Sequence, residues 1–206
     1  MKLYNSVGPN PHVVRMFMAE KGITLPLEEI DIRGGDNRKP PFNDKINIGG
    51  QTPALEMSDG NMLAEITVIC EYLEEKNPGA PSLIGTTPEE RATTRMWVRR
   101  IDLNICEPLA NGFRAAEGRP MFENRMKLVG AEGAAELKAV ARDRIMWLDG
   151  QIAGRDYVVP GRFSLADILL YCFLTFGAVV GQPIPDEATN IKAWLARVGA
   201  RPSAAA

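Results

Sequence analysis

Proline 53 is the residue that most narrows what this chain can fold into, because of the pattern around it. From Thr52 to Met57 the sequence T-P-A-L-E-M is extended and partly apolar, Ser58-Asp59-Gly60-Asn61 is a turn signal, and Met62-Leu63-Ala64 is a second short strand. From Glu65 the apolar period changes. Ile66, Ile69, Cys70 and Leu73 stand at i, i+3, i+4 and i+7, one face of a helix. A hairpin therefore runs into a helix, with a proline opening its first strand, where it has no N–H to give to a ladder. A cis bond before that proline would leave the backbone N–H and C=O of Thr52 to a ligand. Glu65 stands at the helix start, beside backbone N–H groups that bind anions. A peptide-like ligand with an α-amino and an α-carboxylate end suits that pairing. The same residues also read as an ordinary hairpin and helix.

Upstream, strand and helix alternate. Lys2-Leu3-Tyr4 is a short strand, Ser6 to Pro11 a loop, and a helix follows with Asn10 as N-cap, Pro11 in its first turn and Gly22 at its end. Val13, Val14, Phe17 and Met18 form its apolar side. Leu27 to Ile32 reads as a second strand, and the polar, proline-interrupted stretch 33–48 as at most a short irregular helix. The result is a βαβ-α-ββα domain over 1–78. Pro78-Gly79-Ala80-Pro81 has the character of a domain boundary, giving a linker at 79–86.

Residues 87–206 read as all-helical. Thr87-Pro88-Glu89-Glu90 is a helix start with Thr as N-cap, Pro at the first helical position and Glu at the third, and the helix should run to about Ala116 with a kink near Pro108. Another helical stretch reaches Ile152, weakened near Gly130 and Gly133. In Phe163-Ser164-Leu165-Ala166-Asp167-Ile168 the serine caps, the aspartate reaches back and the flanking apolar pair can staple the turn. The helix from Leu165 to about Val180 is apolar nearly all round, hence buried. A last amphipathic helix spans about 188–199, and Ser203 to Ala206 reads as a frayed tail.

Composition excludes several classes. With 206 residues, 45% hydrophobic and 24% charged, the chain has ample core. A net charge of −2 gives no general attraction to nucleic acid or to an anionic membrane. No apolar run approaches the roughly 20 residues of a membrane span, and Met1-Lys2-Leu3-Tyr4 is a strand, which points to a cytoplasmic protein. The single histidine, His12, rules out a His-rich metal site and reads as a first-turn surface residue. Cys70, Cys106 and Cys172 are far apart and read as buried thiols.

Four motifs, in order and spacing across nearly the whole chain, resemble the cytosolic glutathione S-transferases of the bacterial, theta/beta-related kind. Asn47-Ile48-Gly49-Gly50-Gln51-Thr52-Pro53-Ala54-Leu55 resembles the family's N-P-x-G-x-V-P-x-L, and Ala64-Glu65-Ile66 its Glu-Ser pair at the helix start. Ser164 to Asp167 resembles its capping box, and Ala193 to Arg197 with Arg201-Pro202-Ser203 its C-terminal pattern. The resemblance implies a thioredoxin-like N-terminal domain that binds glutathione, an all-α C-terminal bundle lining an electrophile pocket, and a homodimer, without a metal. It implies that Thr52, ahead of Pro53, pairs its backbone with the glutathione cysteine. Glu65 takes the γ-glutamyl amino group and the Ile66 N–H the γ-glutamyl carboxylate. Gln51, with Lys39 or Arg38, approaches the glycyl carboxylate. Asp102 is a weaker candidate for reaching the partner subunit's glutathione. Ile66 stands where the family has serine, which removes one hydroxyl hydrogen bond of roughly 0.5–1.5 kcal/mol.

The sulfur needs a donor that favours thiolate over thiol. A free thiol titrates near ~8.5, and lowering that by two units takes roughly 2.7 kcal/mol. The family places the donor in the first loop, where Asn10, Ser6 and Tyr4 are candidates here. Each has an ordinary reading too: a plain N-cap, a solvent-facing turn residue, a packing tyrosine. Asn104, Pro108, Asn111, Phe113, Met121 and Phe176 are candidates for an apolar electrophile pocket. The expected activity is conjugation of glutathione to a small hydrophobic electrophile. A glutathione-dependent disulfide reductase and a non-catalytic, stress-related glutathione-binding protein are the alternatives.

Overall fold

The computed structural model describes residues 1–78 and 81–206. Gly79 and Ala80, part of the expected linker, lie outside them. The chain divides into two compact units, Met1–Ile84 with Pro202–Ala206, and Gly85–Arg201.

In the first unit four strands, β1 (Lys2–Asn5), β2 (Leu27–Glu29), β3 (Ala54–Glu56) and β4 (Met62–Leu63), form a mixed sheet in the order β2-β1-β3-β4. β1 runs parallel to β2 and antiparallel to β3, and β3 and β4 are the expected hairpin. β2 ends three residues before the expected Ile32. The alternation of β1 sorts its side chains. Leu3, level with Leu55, is fully buried, while Tyr4 turns to the opposite face and packs with Phe42 and Ala54. Helices α1 (Pro9–Lys21) and α2 (Ile66–Lys76) pack on each other, and Val14, Phe17, Ile69 and Leu73 are buried. The irregular stretch resolves into a 3-10 turn, Asp36–Arg38, and one wide turn, Phe42–Ile46.

In the second unit Thr87 and Glu90 cap α3 (Pro88–Ile101) as expected, with Glu90 N–H on Thr87 Oγ1 at 3.2 Å and Glu90 Oε2 receiving the Thr87 N–H. The expected kink is a widened turn at Asp102–Cys106 that leads into α4 (Glu107–Ala115). Pro108 has no N–H, and its ring crowds the carbonyl four residues back. The Glu107 N–H accordingly reaches the Asp102 carbonyl, five residues back. A short α5 (Arg119–Phe122) precedes the long α6 (Ala131–Gln151), which packs on α4. α7 (Leu165–Val179) is buried continuously from Leu165 to Leu170, and α8 (Thr189–Gly199) buries Ile191, Trp194 and Val198.

The tail is not frayed. Pro202–Ala205 is a 3-10 turn grouped with the first unit, Ser203 is buried, and its hydroxyl donates to Glu20 on α1. No helix among the described residues is long and apolar enough to cross a membrane.

Candidate functional site

The first loop is held by side chains behind it. Asn5, buried at the end of β1, accepts Arg15 Nη1 at 2.7 Å and gives its own amide to Glu29 Oε1 at 2.5 Å. Arg15 Nη1 also reaches the Ser6 carbonyl at 3.3 Å. The chain then turns at Gly8, whose φ of 116° suits glycine, and α1 begins at Pro9. Asn10 is therefore the second helical residue and not the expected N-cap, and its side chain makes no capping bond. Its neighbours give this position its chemistry. Pro9 and Pro11 have no N–H, and the His12 N–H already points to the Gly8 carbonyl at 3.4 Å. Among the first three helical residues the one main-chain donor is that of Asn10. Its side-chain amide, half-buried, has no hydrogen-bond partner among the described residues. The positive end of the α1 dipole thus opens through one residue carrying both donors.

Ser6 and Tyr4 are placed differently. Ser6 is buried and not solvent-facing. Its Oγ donates to the Val7 carbonyl at 3.1 Å and lies 2.5 Å from Thr52 Oγ1. A hydroxyl has one proton, so with that proton on Val7, Ser6 accepts from Thr52. Tyr4 puts its ring edge-on to Phe42 at 6.1 Å, and its hydroxyl donates to Glu56 Oε2 at 3.3 Å. That places its ring on the sheet face opposite Leu3 and Asn5, with its hydroxyl already engaged by Glu56.

That contact joins the first loop to the opening of β3. The β1–β3 register ends at Tyr4 against Ala54, and its extension sets Ser6 opposite Thr52. The Thr52–Pro53 bond is cis, and Pro53 is buried. Gln51 is exposed, and three bonds hold the backbone of residues 49–51. Asn37 Nδ2 meets the Gly50 carbonyl at 2.6 Å, Arg38 Nη1 the Gly49 carbonyl at 3.3 Å, and Asn47 Nδ2 the Gln51 carbonyl at 2.8 Å. Gly50 needs to be glycine, since a Cβ there would stand 2.9 Å from the Asn37 carbonyl oxygen at a φ of 58°. Lys39 is drawn to its own loop, with its ammonium on the Gly34 carbonyl at 3.2 Å and on Asp36 at 3.3 Å.

At the far end of the hairpin, Glu65 has φ 71°, the one positive φ on a non-glycine among the described residues. Such a conformation costs about 1–3 kcal/mol and gathers at ligand sites. The Glu65 carboxylate is exposed, without hydrogen bond or ion pair among the described residues, and α2 starts at Ile66 with no side-chain cap. A free carboxylate thus stands directly before free backbone N–H groups. This arrangement can take the ammonium and carboxylate of one amino-acid end.

His12 is half-buried against the tail, bonded to the Ala204 backbone, where burial first and the Arg15 charge second hold its pKa below the ordinary value. In the helical unit Asn104 gives its amide to the Arg100 carbonyl at 2.8 Å, and Asn111 its amide to Glu107 at 3.0 Å. Phe113 meets Phe176 edge-on at 5.1 Å and Phe122 at 6.1 Å. Pro108 is buried, Met121 is half-buried, and Asp102 lies 3.5 Å from Arg99. Phe122 joins this aromatic group without having been foreseen, since nothing in R-P-M-F separates it from its neighbour. Asn5 and Arg15 were missed as anchors of the loop. The ten-residue spacing that puts Arg15 back over Asn5 is visible only once α1 is folded.

The profile described as "Glutathione S-transferase, N-terminal domain" matches residues 7–76, and that described as "Glutathione S-transferase, C-terminal domain" matches residues 120–202. The chain is 32% identical to Glutathione S-transferase 2 of Saccharomyces cerevisiae, over 98% of this chain and 87% of the relative. It is 28% identical to Protein LigF of Sphingobium sp., over 98% and 91%. A solved glutathione S-transferase domain-containing protein from Marinobacter aquaeolei superposes with a TM-score of 0.91 at 34% identity, covering 98% of this chain and 99% of that one.

Proposed function

The chain belongs to the glutathione S-transferase family, and from that premise we propose that it holds glutathione as the thiolate at the start of α1 and transfers the sulfur to a small hydrophobic electrophile. The observation that carries this reading is the Pro9-Asn10-Pro11 turn, in which Asn10 alone offers a backbone N–H and an unpartnered amide. Both donors favour a thiolate over a thiol. The thiol proton leaves to solvent, the sulfur lone pair forms the C–S bond, and the electrophile's leaving group departs with the displaced electron pair. Thr52 pairs its main chain with the glutathione cysteine beside Pro53. Glu65 holds the γ-glutamyl ammonium, the Ile66 N–H takes its carboxylate, and Gln51 approaches the glycyl end. Lys39 reaches that end only by leaving Asp36. The Phe113–Phe122–Phe176 group, with Met121, gives the helical unit an aromatic surface suited to an apolar electrophile. The working assembly is a cytoplasmic homodimer.

The test is a titration with glutathione at neutral pH, followed by thiolate absorbance in the ultraviolet, on the wild type and on Asn10→Ala. Wild-type protein should show bound thiolate where free glutathione is mostly thiol. The variant should keep its affinity within a few-fold while turnover drops roughly ten- to a hundred-fold, about 1.4–2.7 kcal/mol. Binding without thiolate in the wild type would move the reading to the disulfide reductase or to a non-catalytic binding protein.

A further inference from the structure

The aromatic group of the helical unit is not purely apolar. Phe113 meets Phe176 and Phe122 edge-on, and Gly118 closes against it, since a Cβ there would stand 2.9 Å from Phe113 Cζ. Guanidiniums lie over Phe122. Arg114 Cζ is 5.8 Å from the centre of that ring, and Arg125 Cζ is 5.9 Å from it. These residues all belong to the helical unit, and each is half-buried, so each keeps accessible surface.

Arg114 differs from the cations around it in what it meets. Lys138 is paired with Glu117 at 2.5 Å, and Arg119 gives its donors to the carbonyls of Ala115 at 3.1 Å and Val129 at 2.5 Å. Arg114 meets one neutral acceptor, Asn111 Oδ1 at 2.9 Å, and no carboxylate among the described residues. Asn111 is itself fixed, with its amide on Glu107 Oε2 at 3.0 Å. Positions 107, 111 and 114 share one face of α4, so this chain of bonds holds the guanidinium in place. Of the other acids nearby in the chain, Glu107 and Glu123 are exposed and form no ion pair among the described residues. The last turn of a helix suits a cation, but that contact requires neither a fixed guanidinium nor a ring beneath it. The planar fork of an arginine matches a carboxylate and can stack on an aromatic face. Here most of its donors and its whole charge remain unmatched.

We propose that the electrophile taken by this surface is an aryl compound that carries a carboxylate. Its ring lies against Phe113 and Phe122, and its carboxylate takes the open side of the Arg114 fork, with the Arg125 charge beside it. The reaction rests on the transferase reading above. The glutathione sulfur forms a C–S bond at a ring carbon, a halide departs with the bonding pair, and the carboxylate is unchanged. Arg114 is then a specificity residue, touching the substrate away from the reacting carbon.

Naphthoate and naphthamide, of nearly equal shape, separate charge from ring when each is titrated by calorimetry without glutathione. Naphthoate should bind at least about tenfold more tightly than the amide. Arg114→Met should weaken naphthoate about tenfold and leave the amide within about twofold, and Arg125→Met should weaken naphthoate by less. Equal binding of acid and amide, binding of neither, or equal loss of both in Arg114→Met would overturn the proposal. Turnover is read separately, with a chloronitrobenzoate against its amide, each corrected for its uncatalysed rate. Wild-type protein should prefer the benzoate in kcat/KM, and Arg114→Met should lose that preference. Selective naphthoate binding without any conjugation would overturn the transferase reading and uphold the anion site. Conjugation that prefers the amide would overturn the anion site and uphold the transferase reading. The acid–amide comparison uses wild-type protein and stands whether or not Arg114→Met folds.

Discussion

Helices α1 and α7 look alike where they begin, each with a residue type that favours the cap, and the structure uses the two in opposite ways. At α7 the carboxylate of Asp167 is fully buried and takes four donors. These are the Ser164 N–H and hydroxyl, each at 3.0 Å, the Val158 N–H at 2.8 Å and the Trp194 indole N–H at 2.9 Å. The positive end of that helix is closed by its own chain. In the same unit α3, α4 and α6 carry acidic residues in their first turns, and α8 borrows Asp149 of α6, which accepts the Ile191 N–H at 2.8 Å. In the first unit neither α1 nor α2 has an acid in its first turn or a side-chain cap, and Asn10 has no side-chain partner among the described residues. A helix start that serves the fold brings its own anion. The starts that lack one are where an anion from outside is to be expected.

The largest expected effect is at the closed start. Asp167→Ala leaves four buried donors unmet and should lower the unfolding free energy by more than about 4 kcal/mol in urea melts. A loss under 1 kcal/mol would mean that the capping is ornamental. Next is a pH effect at the same residue. Burial pushes the Asp167 carboxyl up to about 6 in spite of its donors. The folded state then holds the proton more tightly than the unfolded chain. The group's contribution is fully present below the ordinary carboxylate pKa and is lost as pH rises through about 6. Relative to Asp167→Asn, the wild type should gain on the order of 2–3 kcal/mol between pH 7 and pH 4; a flat difference would show that the four donors outweigh burial.

At the open start the sign of the comparison reverses. Asn10→Ala should change stability by less than about 0.5 kcal/mol while removing most turnover. An unfolding loss as large as that expected of a cap, about 1 kcal/mol, with turnover intact would make Asn10 structural. Glu65→Gly relieves a positive φ, and should raise stability by up to about 1 kcal/mol while weakening glutathione roughly tenfold by calorimetry. Stability and affinity falling together would show that Glu65 serves the fold. The smallest change is expected from Tyr4→Phe. It removes the bond to Glu56, worth about 1 kcal/mol or less, and should leave the bound thiolate signal untouched; a lost signal would return Tyr4 to the site.

The strand and helix order was readable because periods of 2 and 3.6 leave separate marks, as at Met62-Leu63 and Ile66-Ile69-Leu73. The kink near Pro108 was readable because proline's missing N–H is a local fact, although the sequence did not say that the helix would widen instead of breaking. The cap at α1 was misplaced by two residues. Gly8 takes the cap position through a backbone angle, and Pro9 and Asn10 are pushed inside the helix. For Ser6, the loop composition suggested exposure, and only the β1–β3 register buries its hydroxyl against Thr52.

The amino-acid sequence by itself determined the two-unit order, the hairpin with its opening proline, the capped starts of α3 and α7, and the family. Each of these rests on residues near one another in the chain, whose propensities and hydrogen bonds are local. Tertiary structure alone decided which first-loop donor is free. Tyr4 is engaged by Glu56, and Ser6 by its neighbour Val7 and by Thr52; the Glu56 and Thr52 contacts join residues 52 and 46 positions apart, brought together by the β1–β3 pairing. Among the described residues Asn10 has no such partner, and a hydrogen bond not made becomes visible only once the surrounding groups have their places.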